Sequence, residues 1–310
     1  MNDFHNQLQN IKNQSNSYTK PPKTFEDQLQ LLIEKNLIIS NQTYALKKLT
    51  HINYYRLSAY FLPLQHPKTS ELSGIFLENV NFEDILELYF FDVELRKIIF
   101  KAIEAVEVYL RTQIAYHHGV SYGAFGYLDP NNFKTTPEFY DKVMFAIREE
   151  TGRSSETFIS HFRDKYGTTD LPVWAMVEVV SMSTLSKIYA MLKTIEQQAV
   201  TSALNGVGKD LFHNWFHALT VIRNICAHHS RLWNKTLGVS FEKPRKIKSF
   251  HPLQGDKIFF ALSVIAFILD AIGEESDFKN DIGTLIAAHP KINIKAIGFI
   301  DGWDSMEVWQ

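Results

Sequence analysis

From Asn81 to His118 the chain runs without a proline or a glycine, and its apolar residues Leu86, Phe90, Val93, Ile98, Ala102, Ala105 and Tyr109 recur at helical spacing. This predicts one long helix that serves as a spine, and it commits the rest of the chain to packing helices against it. Shorter helical patterns flank it on both sides. Thr24 with Asp27 reads as a helix start ahead of Phe25, Leu29, Leu32 and Ile33, and Ser40-Asn41 caps a second pattern through Tyr44, Leu46 and Leu49. Asn53 to Tyr60 comes closely after, and Pro63 ends that run. After a loop from Gly119 to Pro137, helices are expected near 138–150, 154–166 and 173–193, then from Asp210 to about Ser230 and from Ile258 to Ile272. The one strand-like element is a small hairpin pairing Gly238–Phe241 with Ile247–Phe250. The expected fold is all-α, a helical bundle with an N-terminal helical lobe and at most one small β-hairpin. Its divisions are a disordered tail over 1–20, closed by Pro21-Pro22, a lobe over 21–80, and a larger helical domain over 81–310.

Composition bounds what such a bundle does. With 310 residues, 45% of them hydrophobic, the chain can bury a large core. Its formal charge is only −2, so nucleic-acid binding would need a local basic surface. One cysteine, Cys226, excludes an intramolecular disulfide framework and fits a reducing cytoplasm. Met1 to Lys20 is rich in Asn, Gln and Ser and lacks an apolar segment, which speaks against a secretory leader. The most apolar stretch, Ile258 to Ile272, is short for a bilayer span and ends near Asp270, Glu274 and Glu275, so it reads as a core helix.

Reactive side chains concentrate in one segment. Arg223, Asn224, His228, His229 and Arg231 fall within nine residues. An imidazole can move a proton while a guanidinium holds the charge that builds on a phosphate, a combination suited to cleaving RNA without metal, with the 2′-hydroxyl as nucleophile. On a helix, Arg223 and His228 lie ~140° apart around the axis and ~7.5 Å along it. Asn224, His228 and Arg231 share a stripe, to which Arg223 is long enough to reach. Spacing alone is weak, because loosening the gap by one residue admits Arg111…His117 and Arg245…His251.

Other candidates are less specific. Asp92/Arg96 and Glu107/Arg111 are i,i+4 pairs on the long helix, and most such pairs are surface ion pairs worth ~0.3–0.5 kcal/mol. Glu178, amid Met176, Val177, Val179 and Val180, is expected to partner an arginine or to lie on a narrow polar stripe. His213 and His217 have a zinc-like spacing, but no Glu follows His213 and no second thiol exists, so no metal and no cofactor are expected. Lys243, Arg245, Lys246 and Lys248 form a basic cluster close in sequence to the motif, suited to phosphates or to a solvated turn.

Read as a whole, Arg223-Asn224-Ile225-Cys226-Ala227-His228-His229-Ser230-Arg231-Leu232-Trp233-Asn234 resembles the bacterial abortive-infection (Abi-like, AbiD/AbiF type) family. So do Asn53-Tyr54-Tyr55-Arg56-Leu57-Ser58-Ala59-Tyr60, Asp92 to Arg96, Ile103-Glu104 through Leu110-Arg111, Leu171-Pro172-Val173-Trp174 with Glu178, and Ile297-Gly298-Phe299 with Trp303. The chain departs from the family at Val180-Ser181-Met182-Ser183-Thr184, where Phe-Gly is usual after the serine. The resemblance implies a HEPN-like helical domain whose Arg-x4-6-His motif cleaves RNA, with Arg223 and His228 as the catalytic pair. Asn224, His229 and Arg231 would support them, and Glu107 and Arg111 would lie inside, near the motif helix. Two motifs usually meet in such nucleases, which implies a homodimer, or a second half-site from Arg111…His117 within one chain. Some relatives hold a structured small noncoding RNA without cutting it, and that is the alternative. A protein-binding helical scaffold, with Arg223 and His228 packed internally, is a third.

Overall fold

A computed structural model describes residues 21–310. The expected disordered tail over 1–20 lies outside the described residues. Among the described residues there are twelve α-helices and several 3-10 turns, and β-structure is limited to isolated bridges.

The chain divides into two compact units, the first ending at Leu86. In it, helix α1 (Phe25–Glu34) starts where a capping box forms: Thr24 accepts from the backbone of Asp27, whose carboxylate accepts from Thr24. Helix α2 (Gln42–His51) is capped by Asn41, and the two pack together over Leu29, Leu32, Ala45 and Leu49. In α3 (Tyr54–Ser58), Leu57 is buried and Tyr55 faces solvent. Tyr54, Phe61 and Phe76 form an edge-on aromatic series with centroids 5.7 and 5.3 Å apart.

The second unit, from Glu87 onward, is organised on helix α4 (Phe82–Tyr122). The helix outruns the expected end at His118 by four residues. Gly119 costs a helix only ~1 kcal/mol, and a Cβ there would come within 3.3 Å of Val173, so its absence admits the neighbouring segment. Gly123, at φ +79°, then ends the helix. Helix α5 (Pro137–Arg153) is capped by Thr136 with Pro137 in its first turn, and α6 (Thr157–Tyr166) ends at left-handed Gly167.

The single helix expected over 173–193 is two, α7 (Val173–Val179) and α8 (Met182–Met191). Extended backbone at Val180 and Ser181 separates them, and the break is capped from both sides. Ser181 accepts from the backbone of Thr184, while Glu150 of α5 accepts from the Ser181 backbone at 2.6 Å and from both hydroxyls. Helices α9 (Thr194–Val200) and α10 (Lys209–Ala227) come next. α10 packs on α8 and α9 through a face that includes Phe212, Trp215, Phe216, Leu219 and Ile222.

The hairpin expected over 238–250 does not form. Phe241 donates to the Gly255 carbonyl, and Asn214 of α10 brackets the Ser240 carbonyl and the Glu242 amide. Trp215 donates to the Glu242 carbonyl at 2.9 Å. These groups satisfy the segment elsewhere, and Pro244 supplies no donor for a ladder. Helix α11 (Ile258–Ala271) is buried along almost its whole length, as its apolar run implies. Helix α12 (Phe278–Ala288) and the C-terminal turns close over it, with Trp309 stacked on Phe259 and donating to Ser263.

Candidate functional site

Phe100, Glu104, Glu107 and Arg111 are spaced four, three and four apart, which places them on one face of α4. Arg223, in the last turns of α10, reaches that face. Its Nε lies 3.5 Å from Glu107 Oε2, and its guanidinium sits over the Phe100 ring, 5.5 Å from the centroid. The other Glu107 oxygen pairs with Arg111, whose remaining nitrogen donates to the Val177 carbonyl of α7. One carboxylate thus serves two guanidiniums, and Glu104 on the same face brings the cluster to two acids and two arginines. Glu107 and Arg111 are buried inside the unit, whereas the Arg223 side chain keeps 33% of its exposure. These residues, with Glu104 and Val108, line a pocket of about 240 Å³.

The end of the motif helix departs from the expected stripe. α10 stops at Ala227 with His228 as its C-cap, short of Ser230. His229 takes a left-handed φ of +54°, donating to the Cys226 carbonyl while Ser230 donates to Ile225. This is a Schellman turn with a histidine where glycine is usual. Arg231 therefore lies beyond the helix, and the Asn224, His228, Arg231 stripe is broken. Asn224 accepts from the His228 amide at 3.0 Å through its backbone, but the two side chains do not hydrogen-bond. His228 and His229 are exposed. No hydrogen bond or ion pair joins Arg223 to His228 among the described residues, as their ~140° separation on the helix implies.

The loop after the motif is held by a residue that reads as surface in the sequence. Asp92 is fully buried and accepts from the backbone amides of Leu232, at 3.1 Å, and Trp233, at 2.7 Å, while pairing with buried Arg96. The i,i+4 pair is therefore a buried clamp on the loop, and the surface reading is corrected. Spacing does not reveal this, because the partners lie about 140 positions away. Phe100 is equally illegible, and so is the buried ion-pair geometry of His118 with Glu196 at 2.9 Å, which ties α4 to α9.

The remaining candidates fall outside the cluster. Glu178 is exposed and pairs with no arginine among the described residues; its neighbour Val177 meets Arg111 instead, through the backbone. Lys243, Arg245, Lys246 and Lys248 are not buried, but the segment is anchored at Asn214 and Trp215, ~20 Å along the α10 axis from His228. Closeness in sequence to the motif is not adjacency to it. Arg111 is engaged by Glu107 and Val177, and His117, six positions on, lies ~120° away around α4. Burial lowers the pKa of His213, with the neighbouring His217 acting the same way. Burial pushes the Cys226 thiol up to about 12, which leaves it a packing residue. No group of three or more His, Cys, Asp or Glu that could hold a metal ion occurs among the described residues, and no helix there is long and apolar enough to cross a membrane.

Fold and site together define an all-α protein in which a long central helix orients one arginine of an Arg-x4-His motif helix. A model of the Abi-like protein family matches residues 47–234, from the first unit through the end of the motif block, and the chain belongs to that family. No curated protein and no solved structure matches it.

Proposed function

We propose that this Abi-like protein acts in the cytoplasm in abortive-infection defence as a HEPN-type, RNA-binding endoribonuclease that needs no metal. The observation that carries the reading is the state of the two motif side chains. Glu107 and Phe100 orient the Arg223 guanidinium yet leave it partly open, and His228 stands exposed at the helix end with no side-chain partner among the described residues. Their chemistry is complementary. His228 takes the 2′-hydroxyl proton, the 2′-oxygen attacks phosphorus, the bond to the 5′-oxygen breaks, and the leaving oxygen is protonated. Arg223 holds the charge of the pentavalent phosphate, with Asn224, His229 and Arg231 as further contacts. The products carry a 2′,3′-cyclic phosphate and a 5′-hydroxyl.

Because Arg223 and His228 diverge on one helix, a second copy that brings another motif helix to the same phosphate is the economical way to complete the site, and we propose a homodimer. Lys243, Arg245, Lys246 and Lys248 would hold a more distant stretch of the strand. Exposure of His228 speaks against the scaffold reading, which requires both motif residues packed internally. The non-cleaving alternative, an RNA-binding module for a structured small noncoding RNA, is favoured by one feature: no side chain among the described residues fixes the His228 imidazole.

The test is to purify the wild type beside Arg223→Ala/His228→Ala, extract co-purified RNA, and incubate both with end-labelled RNA in EDTA. Cleavage by the wild type alone supports the nuclease. A discrete bound RNA with no cutting by either protein selects the RNA-binding module.

A further inference from the structure

Farther along α4 from the Arg223 pocket lies a second cavity, of about 470 Å³, that the reaction does not use. Its walls are Tyr116 and Thr112 of α4 and Trp174 and Glu178 of α7, and its floor is Ala115 and Gly119. The two aromatic side chains are more than half exposed, at 62% and 56%. Trp174 and Glu178, four apart, share a face of α7, so an indole and a carboxylate with no partner among the described residues open on one space. The small floor residues leave that space open, since a Cβ at position 119 would already crowd Val173 at 3.3 Å and touch the Trp174 ring. The volume and the mix of apolar wall with one or two polar groups suit a small planar ligand.

We infer that this cavity takes an unpaired RNA base bearing an exocyclic amine, stacked on Trp174 and Tyr116, with its amino edge donating to Glu178. The inference rests on the RNA-binding reading above and deepens it. Three observations point to a base rather than another occupant. Arg223 is held at Phe100 and Glu107 while this cavity runs from Thr112 to Val120, so the two lie ~18 Å apart along one helix, a separation that a few nucleotides of a single strand span. Arg111 ties them together, holding Glu107 beside Arg223 and the α7 backbone at Val177. Beside the Arg223 pocket, sharing Glu104 and Val108 with it, lies a cavity where Glu104, Glu274, Glu275, Asp277 and Asp281 outnumber the single Lys101; it repels a phosphate backbone, so a strand bound at Arg223 is directed away from that face. A lone carboxylate selects donors: adenine and cytosine present an amino group, whereas uracil presents carbonyl oxygen at the equivalent position.

The experiment uses 2′-O-methyl hexamers of A, C and U, which lack the attacking hydroxyl, bound to the full chain and followed by fluorescence anisotropy. The A and C hexamers are expected to bind about tenfold tighter than U. Trp174→Ala and Tyr116→Ala should each weaken the A hexamer by about tenfold, in the range of a lost base stack. Glu178→Gln, whose amide both donates and accepts, should bring U to within about threefold of A. Equal binding of all three hexamers, unmoved by Trp174→Ala, overturns the pocket and leaves RNA binding intact. A changed oligomeric state in Trp174→Ala with unchanged hexamer affinity also overturns it, making the face a contact between copies. Failure to bind any hexamer, together with a purified protein free of RNA, removes both the pocket and the reading beneath it.

Discussion

Glu107 does more for the site than its distance from the motif in sequence suggests. It is buried between two guanidiniums, so Glu107→Gln leaves Arg111 and Arg223 without their carboxylate; the expected cost is ~3–5 kcal/mol in a denaturant titration, with loss of the fixed Arg223 geometry. A loss below ~1 kcal/mol would show that the pair is solvated. Asp92→Ala is expected to cost a similar amount and to loosen the loop at Leu232 and Trp233, read as faster amide exchange there. Cys226 gives a pH prediction. Its folded pKa lies above its ordinary value near 9, so the stability it contributes is complete below pH 9 and falls as pH rises from there toward 12. Near neutral pH its thiolate is about a thousandfold scarcer than that of an open thiol, so a disulfide probe should react with the native chain far more slowly than with the urea-unfolded one. At this scale the motif segment stood out by its density of reactive side chains, whereas the inward position of Glu107 and Arg111 was legible only through a family resemblance. Asp92 was not, because a buried carboxylate and a surface one have the same local sequence, and only the fold brings the two loop amides to it.

Elements were easier to read where periodicity is strong and harder where a cap decides. The long helix, the capping box at Thr24 and the core helix after Lys257 come directly from pattern. The break between α7 and α8 does not, since Ser181 becomes a cap only when Glu150 arrives from α5. Ser181→Ala is expected to cost ~1 kcal/mol or somewhat more, and thermal unfolding would register it. The absent hairpin has the same origin: alternating residues after the motif found partners in α10 rather than in each other. Gly298, within the C-terminal Ile-Gly-Phe segment, is a backbone requirement. At φ +99° a Cβ would stand 2.5 Å from Lys257, so Gly298→Ala should destabilise by more than the ~1–3 kcal/mol of left-handed strain alone.

For the whole molecule, the central question is whether one Arg-x4-His helix forms the proposed catalytic centre. The long helix sets Arg223, a Schellman turn ends the motif helix beneath exposed His228, and the two do not meet within one chain. Light scattering is expected to find a dimer, and a monomer that still cleaves RNA would remove the need for a second motif. The RNA ends decide the chemistry most directly. Mass spectrometry of RNA incubated in EDTA with the wild type, Arg223→Ala and His228→Ala should find 2′,3′-cyclic phosphate ends from the wild type and none from either variant. Cleavage that persists in His228→Ala, or ends bearing a 5′-phosphate and a 3′-hydroxyl, would contradict the assignment of Arg223 and His228 as a metal-independent pair.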